Sequence, residues 1–309
     1  MCGSRVARRL ASPTERLYVR LVDGGSLWTS AVVAAAVAAV VTGLFQVVTS
    51  FRYLPYRLRT EQDYEQRKAL RQLIGTFHGR LLEEAVDWHW RMWTSYDQLN
   101  AGVRPFVDRG DATRAAYKLA RLATVLQQFD WEAVYIDQRI ALPSDKDFVA
   151  FVKLLGSTIV GHSIFRERAG PLPRGRFDGS VTGDMMRVVC EDMLTGSPMA
   201  GGLLSLREFE RRAQSDDALS QVVRLVEASD SPEDPGFRWD RLVATHLVAA
   251  VFVNAYGYPF QRVSVDHMRR IAGELRNDVV RGNLADDLRR LRLDTNAQVA
   301  ALAGILSDE

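Results

Sequence analysis

Cysteine is almost missing: Cys2 and Cys190 are the only two in 309 residues. A fold stapled by disulfides is therefore excluded, and nothing points to an oxidising compartment. Lysine is also scarce. Four of the 40 basic residues are Lys and the other 36 are Arg, a bias of genome composition such as high-GC bacteria show. Strand-length runs of alternating apolar and polar residues are lacking, and no internal repeat is seen, which leaves no basis for a sheet.

The usual carriers of chemistry are thin as well. None of the five histidines (His78, His89, His162, His246, His267) stands in a His-Glu-x-x-His pattern or at zinc spacing from a cysteine. The glycine-rich stretch Gly196–Gly202 lacks the Lys-Ser/Thr of a P-loop and follows no predicted strand, so it reads as a flexible helix connector. No Gly-x-Ser-x-Gly elbow occurs. Cys190 sits among Met185, Met186, Val188, Val189 and Met193, as a buried, inert thiol would. Arg109-Gly110-Asp111 matches an adhesion tripeptide by chance. The sequence thus predicts no catalytic, metal-binding or cofactor-binding residues, and no cofactor.

Excess charge of one sign is missing too. The net charge is +2, and residues 1–23 hold five Arg against Glu15 and Asp23, or +3, so the remainder is −1. Arg289, Arg290 and Arg292 cluster but are interleaved with Asp286, Asp287 and Asp294, a solvated helix face. Nucleic acid is excluded as a partner.

The most telling absence is local: no charged residue occurs between Asp23 and Arg52. Within that gap Trp28–Val48 is apolar for 21 residues, about the length that crosses a bilayer at ~1.5 Å per residue. A secretory signal has a shorter apolar core, roughly 7–15 residues, followed by a small-residue cleavage site. The stretch here ends instead in Phe51, Arg52 and Tyr53. One transmembrane helix over 27–50 is therefore expected, after a short basic segment 1–26, with the lipid bilayer as the first partner. Trp28 anchors one interface; Phe51, Arg52, Tyr53 and Tyr56 anchor the other. Arg52, Arg57 and Arg59 outweigh Arg16 and Arg20 near the membrane, which places the C-terminal domain in the cytoplasm, although Arg5, Arg8 and Arg9 oppose translocation of the N-terminus. Ala31, Ala35, Ala39 and Gly43 recur every four residues, a small-residue face suited to pairing two copies of the span as a homodimer.

Beyond the membrane the pattern is all-α: a juxtamembrane unit (57–168) and a distal unit (181–309), or one continuous domain, with Ala169–Ser180 as the linker. From Leu70 to Leu99 the apolar residues Leu70, Leu73, Phe77, Leu81, Ala85, Trp88, Met92, Tyr96 and Leu99 take eight steps over 29 residues, the period of a straight helix stripe. Pro55 should break or kink the join to the span. Further helices are expected at Asp111–Gln128 (capped by Asp111 or Thr113), at Trp131–Ile140 after a break at Asp130, and at Asp145–Arg168 behind a Ser144/Asp147 capping box. Others follow at Gly183–Leu194, Leu206–Ala213 behind a Ser205/Glu208 box, Asp216–Ala228, Trp239–Val253, Val265–Arg281 and Asp294–Leu306. Trp239–Val253 is apolar but carries Asp240, Arg241 and His246, so it reads as a core helix and not a second span.

Trp88, Trp90 and Trp93 form the densest aromatic cluster. Trp88 lies on the stripe; Trp90 and Trp93 lie off it and are candidates for a partner surface. The expected function is a single-pass, membrane-anchored, non-enzymatic interaction, scaffold or sensing module at a bacterial cytoplasmic membrane, with an unidentified protein partner. The alternative is a membrane-tethered hydrolase or nucleotide-linked effector whose site assembles only in three dimensions.

Overall fold

The structure is a computed structural model that describes residues 13–50, 54–161, 163–166, 183–196, 202–215, 217–230, 237–293 and 296–307. Contacts divide the chain into two units, Met1–Glu65 and Gln66–Glu309. The expected linker Ala169–Ser180, His162, and the interface residues Phe51, Arg52 and Tyr53 lie outside the described residues.

The first unit contains α1 (Pro13–Val48) and the start of α2 (Leu54–Asn100). Trp28–Val48 is long and apolar enough to cross a membrane, and none of it is buried. A core helix would bury its valines, whereas Val33, Leu44 and Phe45 are exposed. A signal sequence meets the same test of length and composition. The polar Thr42 disposes of its hydroxyl within the helix, donating to the Ala38 carbonyl at 2.7 Å. Trp28 and Tyr56 are both exposed. Pro55 is the second residue of α2, where its missing N–H costs no helical hydrogen bond.

The second unit is helical almost throughout. The α2 stripe is buried from Leu70 through Tyr96, and Leu99 packs partly buried against the same core. Antiparallel to it runs α3 (Arg109–Ala133). A polar seam joins the two. Arg80 donates to Gln128 (2.8 Å), Arg121 to the Glu84 carboxylate, Lys118 to Asp87 (3.0 Å), and Arg91 to the Asp111 carbonyl (3.2 Å). Glu84 is buried, and burial pushes its carboxyl up to about 6 against the opposing pull of Arg121.

At the centre is α8 (Phe237–Tyr256), in which every residue from Trp239 to Asn254 is buried. A helix apolar on all sides belongs inside a bundle. Its neighbours include α4 (Pro143–Val160), α9 (Val265–Gly273), α10 (Asp278–Arg290) and α11 (Ala297–Ile305). The helices α5 (Gly183–Met193), α6 (Leu206–Arg212) and α7 (Asp217–Glu227) pack on α3. Each polar intruder in α8 has a local partner. Asn254 exchanges two hydrogen bonds with the Val263 backbone (2.6 and 2.8 Å). Arg241 donates to the carbonyls of Thr158, Ile159 and Gly161 (2.9–3.1 Å), its guanidinium over the Phe165 ring. Those carbonyls close the C-terminal end of α4, where a cation is favoured. Burial lowers the Arg241 guanidinium to about 10.

Several expectations are corrected. Asp108, not Asp111 or Thr113, caps α3, and α3 runs through Asp130 to Ala133 without a break; only a short 3-10 turn, Gln138–Ile140, follows. Helix α4 starts with Pro143, which puts Ser144 inside the helix, so the Ser144/Asp147 box does not form. It also ends at Val160 instead of Arg168, because the chain turns extended at Gly161 and Arg241 takes the freed carbonyls. The stretch Val265–Arg281 is two helices. Trp239 Nε1 donates to the Glu274 carbonyl (2.9 Å) and Asp240 accepts from Arg276 N–H (2.7 Å), holding a turn that Asn277 ends by capping α10. The glycine-rich connector carries a small hairpin, β1 (Leu194–Thr195) antiparallel to β2 (Gly202–Leu203), with Gly196 at φ +96° where a side chain would be strained. Ser205 does cap α6, but Glu208 bonds Arg211 and Arg212 instead of closing the box.

Candidate functional site

On α2, His89, next to the stripe residue Trp88, stands seven residues before Tyr96, two turns along one side of the helix. Opposite them α8 presents His246. The His89 Nδ1 and His246 Nε2 atoms are 2.7 Å apart, and His246 Nδ1 lies 2.9 Å from the Tyr96 hydroxyl. His246 and Tyr96 are fully buried; His89 is 8% exposed and forms the outer end. The rings also pack face to face, His246 on Tyr96 at 5.4 Å, and Tyr96 meets Trp239 edge-on at 5.9 Å.

The positions of the hydrogens follow from the partners. The hydrogen-bond partner of the Tyr96 hydroxyl is His246 Nδ1, so the phenol donates there; the reverse would strand a buried O–H. Neutral His246 then carries its hydrogen on Nε2 and donates to His89 Nδ1. His89 in turn carries its hydrogen on Nε2, the outer end of the chain. The three groups form a one-way series from phenol to surface.

Burial, reinforced by the neighbouring His267, pulls His89 down to about 4. Burial, and then His89, holds His246 well below the ordinary imidazole range, while burial raises the Tyr96 phenol well above its usual value. Both imidazoles are therefore neutral at neutral pH. A proton added to His89 would also set two N–H groups against each other unless the series reversed and stranded the Tyr96 hydroxyl.

Over the outer end lie the off-stripe tryptophans. Trp90 is 61% exposed, with His89 edge-on at 5.5 Å. Trp93 is partly buried under α9: the His267 ring sits 4.5 Å from it and the Arg270 guanidinium 4.6 Å from its face. Arg270 is held there by Asp97 at 3.0 Å. Trp90 and Trp93 thus differ, one open to solvent and the other the floor beneath a histidine and a cation. Trp88, on the stripe, is fully buried.

His78 stacks on Phe148 at 6.0 Å and is remote in character from this series. Among the described residues no group of three or more His, Cys, Asp or Glu is arranged to hold a metal ion. Cys190 is buried against α3, and burial pushes its thiol up to about 12, so it stays protonated. An open pocket of about 260 Å³ lies between α3, α6 and α7, lined by Arg109, Thr113, Glu210 and Val223 among others. Ala31, Ala35 and Ala39 are exposed on α1 and Gly43 is half-buried, yet a Cβ at Gly43 would meet nothing.

Sequence reasoning left out His89, Tyr96 and His246 as a set. The signal was faint: a histidine interrupting an apolar helix, and a His and a Tyr spaced by seven on another, 150 or more residues away. Comparison with family models, with curated proteins and with solved structures finds no match for this chain.

Proposed function

We propose that this chain is a single-pass membrane-anchored helical module that docks a protein partner on the surface around Trp90, with α1 as its tether and the C-terminal unit in the cytoplasm. The observation that carries this reading is Trp90 itself, 61% exposed beside the His89 ring on a helix whose other face is sealed in the core. Exposed tryptophan is typical of binding surfaces, where it supplies a large rigid contact at small entropic cost. The neutral His89 Nε2–H adds a directed donor next to that contact. Arg57, Arg59 and their neighbours support the orientation.

A photo-crosslinking residue at position 90 of the full chain in cells should give a discrete adduct with another protein, and one at Phe260, also exposed, should not. Equal adducts, or none, at the two positions would sink the docking surface. A reporter fused after Glu309 that is active only outside the cytoplasm would reverse the orientation.

A further inference from the structure

We propose that Tyr96 is a redox-active tyrosine: a one-electron acceptor at the surface draws its electron out through Trp93, while its proton leaves through His246 and His89. Every group involved lies in the second unit. Tyr96 is fully buried, and burial raises its phenol, so the O–H does not ionise by itself. Loss of an electron changes that. An oxidised phenol is a strong acid, and its proton passes at once to a base already in place. His246 Nδ1 is that base, 2.9 Å from the hydroxyl.

A proton that stopped on His246 would leave an imidazolium in the core, which burial opposes. The series removes it. As His246 Nδ1 takes the phenolic proton, His246 Nε2 gives its own to His89 Nδ1 at 2.7 Å. His89, the member of the three with any exposure, then releases the hydrogen of its Nε2 to water. One electron has gone to the acceptor and one proton to solvent. Tyr96 is left as a neutral radical, and both imidazoles are neutral in the opposite tautomer. No charge remains in the core.

The electron has a route of its own. The Trp93 ring, partly buried, meets Tyr96 edge-on at 6.4 Å and reaches the surface beside His267 and Arg270. The Arg270 guanidinium, 4.6 Å from the ring, penalises positive charge on Trp93, so the oxidation moves inward instead of resting there. On the far side of Tyr96 stands Trp239, at 5.9 Å. Its N–H is committed to the Glu274 carbonyl and the Arg276 guanidinium lies 5.1 Å from its ring, so oxidising it would strand a cation in the core. In the row Trp93, Tyr96, Trp239, the phenol is the member whose proton has a way out.

The test uses the full chain in detergent micelles, with tris(bipyridine)ruthenium(III) made by a laser flash as the acceptor. Transient absorption and the paramagnetic resonance of frozen samples follow tyrosyl radicals. A long-lived neutral tyrosyl signal is expected, lost in Tyr96→Phe and kept in Tyr135→Phe, at a site 85% exposed. His89→Gln keeps an acceptor for the His246 N–H but does not pass the proton on, and should slow formation of the radical severalfold. Trp93→Phe should slow it severalfold as well. No long-lived radical in the parent chain, or an unchanged one in Tyr96→Phe, overturns the assignment. Formation as fast in His89→Gln as in the parent overturns the proton exit, and the same result in Trp93→Phe overturns the electron route. Circular dichroism melting checks that each variant folds. Should Tyr96→Phe fail to fold, the His89→Gln rate decides, because a radical on another of the nine tyrosines would not respond to it.

Discussion

Two helical stretches of nearly equal length, Trp28–Val48 in α1 and Phe237–Tyr256 in α8, meet opposite fates: the first buries none of its residues and the second buries sixteen in succession. Length does not separate them, although of the two only the first is apolar enough to cross a membrane. Their polar residues also separate them. In α8, Asp240, Arg241, His246 and Asn254 each need a group from another helix or loop, and each finds one. In α1, Thr42 bonds its own helix one turn back and needs no group from elsewhere, and Gln46 lies two residues from the end of the apolar stretch. The demands of polar side chains, together with apolar content, set the buried α8 apart from the uncovered α1.

The strongest way to break this comparison is one substitution made in each helix. Leu247→Ala, at a fully buried site, should cost the second unit about 2–5 kcal/mol in urea unfolding. Leu44→Ala, at a site 60% exposed, should leave that unfolding unchanged within about 0.5 kcal/mol. Similar losses from both would mean that α1 packs on the bundle after all.

An effect of intermediate size comes from pH and sharpens the account of α8. His89 folds with its pKa lowered to about 4, and His246 with its pKa held well below the ordinary imidazole value of 6.5. Below 6.5 the unfolded chain takes up protons that the folded chain refuses. Stability is therefore whole above 6.5 and declines as pH falls toward 4, by about 1.4 kcal/mol per pH unit for each ring. Tyr96→Phe should cost about 1–2 kcal/mol at pH 7.5 by leaving His246 Nδ1 without its donor. It should also flatten the decline, because without the phenol the series can reverse at no further loss. A pH profile as steep in the Phe variant as in the parent would show the series has no fixed direction.

The smallest effect belongs to α1. Ala35→Leu with Ala39→Leu should weaken self-association in a membrane two-hybrid assay by about 1 kcal/mol or less, and Val33→Leu with Val40→Leu should not. Equal signals from the two pairs would leave α1 as a tether only.

What could be read from residues alone was what repeats locally. The α2 stripe from Leu70 to Tyr96 was legible because one helix face meets one core, and the burial of α8 was legible from its length and its interrupting charges. What escaped depended on residues distant in sequence. The pattern of Val265–Arg281 continues as a helix on paper, but the turn inside it is held by Trp239 and Asp240 from α8. The end of α4 is likewise set by Arg241, some 80 residues later. The histidine series is the extreme case, since each of its members reads as unremarkable until α2 and α8 are side by side. Trp90 and Trp93 were separable from Trp88 by phase, but not from one another, because the cover on Trp93 comes from α9.

The polar seam between α2 and α3 has a property of its own. Read along α2 the side chains run cationic, anionic, anionic, cationic (Arg80, Glu84, Asp87, Arg91), and along α3 the facing set is neutral, cationic, cationic, anionic (Gln128, Arg121, Lys118, Asp111). Sliding α3 by one step would bring Arg121 opposite Arg80 and Asp111 opposite Asp87 in one direction, or Lys118 opposite Arg91 in the other, a collision of like charges at the rim of the core either way. Turning α3 end for end would keep Arg121 and Lys118 against Glu84 and Asp87. The seam is thus a nearly palindromic cipher, able to specify how far the two helices are offset and indifferent to which way they point. Direction is left to the eight residues between Asn100 and Arg109, too few to carry the chain back along α2 for a parallel pairing.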